Sequence, residues 1–174
     1  TVPAIKPAAE RSRSHLISVL GTPGTVARDY TQKLITQFAA HCEVTLVGSA
    51  SLARLAESLM QGGGVCDEDI AAEIAPCFVE HDGRRTDAVV LACTHYPLIK
   101  QQISAFYKNE VKIFDSAEVV AQKLNWILQK ENLASDKKHA TDIFYVSDFT
   151  ESFERTTNIF YGKEIFLELN DIWK

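Results

Sequence analysis

One run of residues constrains this chain more than any other: Asp87-Ala88-Val89-Val90-Leu91-Ala92-Cys93-Thr94-His95-Tyr96-Pro97-Leu98. Its first half is short, apolar and β-branched, the pattern of a strand covered on both faces in a parallel sheet. It then meets a thiol, a hydroxyl and an imidazole in three consecutive positions. Pro97 is favoured at the first position of a helix, and Leu98-Ile99 restart an apolar pattern. The run therefore predicts a central strand, a short loop and a helix. In open α/β sheets the carboxyl end of a strand is where ligands bind. A thiol placed there meets the positive end of the helix, which favours thiolate, whereas a cysteine inside a strand would only pack.

The rest of the chain repeats that alternation. Strand patterns fall at 16–20, 43–47, 87–91, 111–114, 141–147 and 165–169, and helical spacing at 6–13, 26–40, 51–60, 67–80, 97–107, 115–129 and 150–161. Residues 61–64 break the chain with three glycines, 81–85 read as a polar loop, 130–140 as a charged loop, and Gly162 as a helix stop. Ser51 and Ser116 stand where helix caps are wanted. Strand–helix alternation throughout predicts an α/β fold with a doubly wound parallel sheet.

Composition narrows the function classes. At about 100–200 residues per domain, 174 residues make one domain or one and a part, and 46% hydrophobic residues suffice for a core. A net charge of -5 without a basic cluster argues against a nucleic-acid partner. No apolar run approaches the roughly 20 residues of a membrane span, and no signal-peptide pattern is present. Cys42, Cys66, Cys77 and Cys93 show no metal-like spacing and read as reduced thiols, so a cytoplasmic protein without a metal site is expected.

Leu91-Ala92-Cys93-Thr94-His95-Tyr96-Pro97-Leu98 closely resembles the second catalytic-cysteine motif of glutamate racemases, within the aspartate/glutamate racemase superfamily. The resemblance implies two facing α/β domains, the chain crossing back at its end to complete the first. Residues 3–116 would be a complete domain with the second catalytic cysteine, and 117–174 the returning segment of an incomplete one. The family's Asp-Ser-Gly and Ala-Cys-Asn-Thr motifs are absent, and the chain opens on Thr1, so a polypeptide lacking its N-terminal portion is expected. Its uncovered apolar face should seek a partner, by homo-oligomerisation or other association. The resemblance further implies glutamate as the small-molecule substrate, no cofactor, and D-glutamate made for peptidoglycan synthesis.

Racemisation without a cofactor needs two bases on opposite faces of the α-carbon, one as thiolate and one as thiol. By resemblance Cys93 is one of them, Thr94 contacts substrate, and His95 assists the thiol. Glu57 stands where the family has a functional glutamate, and Thr22 and Thr25 lie in a Gly-Thr-x-Gly-Thr turn that lines the carboxylate side. Each has a plainer explanation: a solvated helical Glu57, a structural His95, and threonines chosen for turn geometry. Cys42 precedes a strand, Cys66 lies in a loop and Cys77 in an apolar helix, so none can supply the second base. The chain alone is therefore not expected to racemise glutamate. Rival readings are an aspartate racemase or a related thiol-dependent isomerase or decarboxylase. Further off are a cysteine hydrolase using Cys93 and His95, and a non-catalytic module.

Overall fold

The computed structural model describes residues 4–108, 110–134, 143–146, 150–161 and 166–169. Strands β1 (Leu16–Gly21) and β3 (Ala88–Leu91) are buried along their whole length, β3 as a continuous apolar run and β1 with one polar residue, Ser18, whose hydroxyl donates to the Cys77 carbonyl at 2.6 Å. They lie at the centre of a four-stranded sheet completed by β2 (Glu43–Gly48) and β4 (Lys112–Phe114), in the order β2-β1-β3-β4. All three pairings are parallel, with Leu20 opposite Val47 on one side and Leu91 on the other.

Strand alternation sends side chains to two separate cores. On one face Ile17, Val19, Ala88 and Val90 pack beneath α1 (Ile5–Arg11) and α3 (Asp29–Phe38). On the other, Leu20, Val47, Val89 and Leu91 pack against α4 (Leu52–Met60), α5 (Asp67–Ile74) and α6 (Lys100–Phe106). The sheet is thus doubly wound, as the alternation predicted. Further on come α7 (Ala117–Lys130), β5 (Ile143–Val146), α8 (Glu151–Tyr161) and β6 (Phe166–Leu169). β5 and β6 pair in parallel as a separate two-stranded sheet. Val120, Leu124, Trp126 and Ile127 of α7 are exposed. Among the described residues no helix is long and apolar enough to cross a membrane.

Several elements differ from the sequence reading. The helix expected over 26–40 divides into a short turn, α2 (Pro23–Val26), and α3. Tyr30, one of the apolar positions in that spacing, is 61% exposed, while Thr31 is buried and donates to the Thr25 carbonyl at 2.8 Å. The helix expected to reach residue 80 stops at Ile74 and tightens into a 3-10 turn, Ala75–Cys77, because Pro76 cannot continue the α-helical ladder. His81 to Arg85, read as a loop, belongs to a tight hairpin pairing Glu80 with Arg85. Asp82 and Gly83 turn it with φ of 51° and 70°, the positive pair a two-residue hairpin turn needs. Gly162 and residues 135–140 of the expected loop lie outside the described residues.

Asp87, just before β3, ties the sheet to the end of α1. Its carboxylate accepts from Ser12 Oγ at 2.6 Å, the Arg13 amide at 2.6 Å and the Ser14 amide at 3.1 Å. Burial pushes this carboxyl up, but the donors outweigh it and hold it below the usual aspartate range. A carboxyl depressed in the folded state contributes stability above its unfolded pKa and loses it as pH falls through the folded one. Asp87→Asn should cost about 1–3 kcal/mol near neutrality, a drop in Tm of roughly 2–12 °C for a chain of this size. Thermal unfolding followed by circular dichroism should show the gap between the two proteins closing below about pH 4. A gap independent of pH would dismiss the charge as its source.

Candidate active site

The strand order creates the site. From β1 the chain first moves outward to β2, then returns across to β3 on the other side. The connections leaving β1 and β3 therefore diverge, and at such a switch point a crevice opens beyond the carboxyl ends. Thr22 and Cys93 each stand two residues past the Leu20–Leu91 pair, and the Ala92 amide donates to the Leu20 carbonyl at 2.7 Å. Cys93 is half-buried and Thr94 exposed. Pro97 begins no α-helix directly: Tyr96–Ile99 form a 3-10 turn that leads into α6. Tyr96 is fully buried, and its hydroxyl donates to the Ser49 carbonyl at 3.4 Å, anchoring the reactive loop to the end of β2.

Cys93 Sγ lies 3.8 Å from Nδ1 of His95, and Nε2 of His95 lies 2.9 Å from Oε1 of Glu57. In the neutral ring, Nε2–H donated to the carboxylate leaves the Nδ1 lone pair facing the sulfur. Thiol, imidazole and carboxylate thus form a line able to pass a proton. The His95 and Glu57 side chains are 37% and 56% exposed, so water screens the pair to about 0–1 kcal/mol. Its consequence is orientation of the ring rather than stability of the fold.

Thr22 caps α2: its hydroxyl accepts from the Thr25 amide at 3.2 Å and meets the Thr25 hydroxyl at 2.9 Å. Both threonines therefore have turn-forming work, at the rim beside Cys93. Gly48 lets that turn close over β2, since a Cβ there would stand 3.1 Å from the Pro23 backbone.

Two further residues, Ser49 and Glu73, support the site and had no signal in the sequence. Ser49 Oγ accepts from the Leu52 amide at 2.9 Å, so Ser49 caps α4 in place of Ser51, which makes no capping bond. Both serine hydroxyls donate to Glu73 of α5, Ser49 at 2.5 Å. These two donors hold the Glu73 carboxyl below the usual range. The clamp fixes the start of α4, the helix that carries Glu57. Ser116 likewise makes no capping bond, and Asp115 accepts from the Ala117 amide instead.

Next to the line of proton-carrying groups is a cavity of about 360 Å³ lined by Glu57, Met60, His95 and Leu98, together with Thr150, just before α8, and Phe153 of α8. A larger one of about 550 Å³ lies between α5 and α6, with no thiol or imidazole in its lining. Of the four cysteines, Cys93 alone follows a strand of the sheet. Cys77 is wholly buried, and burial pushes its thiol up to about 12. Cys66 is exposed at the start of α5, and Cys42 precedes β2.

Comparison with known proteins agrees with the parallel-sheet α/β fold. No family model matches the chain. Over 132 residues it is 54% identical to a glutamate racemase of Sinorhizobium medicae, an alignment covering 76% of this chain and 49% of the relative. The chain is a homologue of the glutamate racemases. A second relative, the glutamate racemase of Agrobacterium fabrum, is 52% identical over 139 residues, 80% of this chain and 50% of its own. The chain thus spans about half the length of the curated racemases it matches. Escherichia coli glutamate racemase, solved with L-glutamate and the activator UDP-MurNAc-ala, superposes with a TM-score of 0.81 at 30% identity, over 95% of this chain and 61% of that one. The racemase isoform RacE1 of Bacillus anthracis gives 0.82 at 25% identity, over 98% and 62%.

Proposed function

We propose that this chain carries one of the two acid/base halves of a cofactor-independent glutamate racemase, acting in the cytoplasm to supply D-glutamate for peptidoglycan. Cys93 is the acid/base. As thiolate it takes the α-proton, the C–H electron pair remaining on the α-carbon and an S–H bond forming. In the reverse direction its thiol delivers that proton. His95, oriented by Glu57, moves the proton between sulfur and solvent, and Thr94, Thr22 and Thr25 offer hydroxyls and amides to the substrate's polar groups. The observation that carries this reading is the Cys93–His95–Glu57 line at the sheet's switch point.

Proton delivery to the opposite face needs a second acid/base, present as its protonated form, and none of the other three thiols is at this edge. That base belongs to polypeptide this chain does not match. On this reading residues 3–116 are one domain of a facing pair and 117–174 belong to the other, with association through the apolar face of the latter.

The test joins this chain to the part of the Sinorhizobium medicae relative that it does not align with. Circular dichroism should record loss of optical activity from D-glutamate and not from D-aspartate, with deuterium entering the α-position in heavy water. The chain by itself should do neither. Racemisation by the isolated chain, or aspartate turnover by the chimera, would overturn the assignment.

A further inference from the structure

At the other rim of the sheet three donor side chains converge that no part of the racemase reading uses. His15 ends the connection into β1, and His41 and Cys42 end the connection into β2. One donor atom from each lies within 4.8 Å of the others, and Cys42 Sγ stands 4.0 Å from His15 Nδ1. The two imidazoles meet edge to face, with centroids 5.6 Å apart. We propose that His15, His41 and Cys42 bind a borderline divalent transition-metal ion, zinc foremost, at the amino-terminal rim, about 20 Å from Cys93 along the six residues of β1.

The donor set suits such an ion, since imidazole and thiolate are its preferred ligands. Bond lengths of about 2.3 Å to sulfur and 2.0–2.1 Å to nitrogen place tetrahedral donors roughly 3.5 Å apart. Closing the observed 4.0 Å takes only small side-chain rotations. Both segments are already fixed. The Glu43 amide, next to Cys42, donates to the His15 carbonyl at 2.8 Å, and Ser12 Oγ accepts from the His15 amide at 3.0 Å.

That anchoring holds His15 at φ 56°, a left-handed conformation uncommon outside glycine. Unlike His81 and His95, neither His15 nor His41 pairs with a carboxylate among the described residues. The negative charge of Asp87 is felt at Cys42 and favours an arriving cation. On binding, the thiol proton leaves to solvent as the sulfur–metal bond forms, and water completes the coordination. Cys93 and Glu57 form no comparable chelate, because they face opposite nitrogens of His95. The spacing of the cysteines gave no hint of the set, because its members come from two segments that only the β1–β2 pairing joins.

Cobalt(II) titrated into the reduced, metal-free 174-residue chain provides the test. One equivalent should produce the sulfur-to-cobalt charge-transfer band and tetrahedral d–d bands, and zinc should displace both. Cys42→Ser should abolish the charge-transfer band. His15→Asn, a residue that accepts the left-handed conformation, should weaken binding at least tenfold, as should His41→Gln at a position with ordinary backbone. Cys93→Ser should leave the titration unchanged. Far-UV circular dichroism verifies that each variant is folded, and any one of the two histidine variants that folds suffices. Absence of the band in the unaltered chain, its survival in Cys42→Ser, or its loss in Cys93→Ser would overturn the proposal.

Discussion

Cys93→Ala, made in the chimera described above, is expected to lower glutamate racemisation by roughly 10²–10⁴-fold, the range that one positioned acid/base contributes. The expectation follows from placement. No other thiol of this chain lies beyond the carboxyl ends of the strands, and the imidazole line ends on this sulfur. Without it His95 and Glu57 keep their bond but have no group between them and the α-carbon. The loss should therefore fall on kcat, with KM nearly unchanged, because the thiol meets the α-hydrogen rather than the carboxylate that anchors substrate. Steady-state circular dichroism over a range of D-glutamate concentrations separates the two parameters. Activity within tenfold of the unaltered chimera would remove Cys93 from the mechanism.

The second large effect belongs to the fold under the site. Leu20→Ala should destabilise the chain by about 2–5 kcal/mol, through lost burial and the cavity left behind. Leu20 is fully buried in the cluster that joins Val47, Leu52, Leu91 and Tyr96, so the cavity would open beneath the reactive loop at Cys93 and the turn that begins at Thr22. Urea unfolding should give a lower midpoint with an unchanged slope, and Tm should fall by roughly 4–20 °C. A shift under about 1 kcal/mol would mean that the neighbouring helices collapse into the space.

Much of this was legible before the fold was in view. The two central strands were readable because burial on both faces favours apolar runs, unbroken at 88–91 and interrupted at 16–20 only by Ser18, whose hydroxyl is satisfied by the Cys77 carbonyl. The reactive loop was readable because chemistry there is packed into three successive residues. Strand order was not, since alternation alone does not say that the chain leaves β1 in one direction and returns on the other. Glu57 and His95 are 38 residues apart, so their pairing had no local signal, and Glu57 entered only through family resemblance. The capping of α4 was assigned to the serine nearest the helix, but Glu73 draws the Ser51 hydroxyl away and leaves Ser49 to meet the backbone. The Asp82-Gly83 pair was a local hairpin signal, obscured by the charged residues around it.

Val120, Leu124 and Ile127 recur on α7 at intervals of four and three, so they line one side of a helix in which no residue is buried. Water in contact with such a stripe is released when two of them meet, at a gain of about 25 cal/mol per Å² covered. On the proposed association through this face, the species present varies by mass action with how concentrated the sample is, and salts that strengthen hydrophobic contact tilt the balance further. Rates and melting points for the separated chain would then be comparable only between preparations of equal strength.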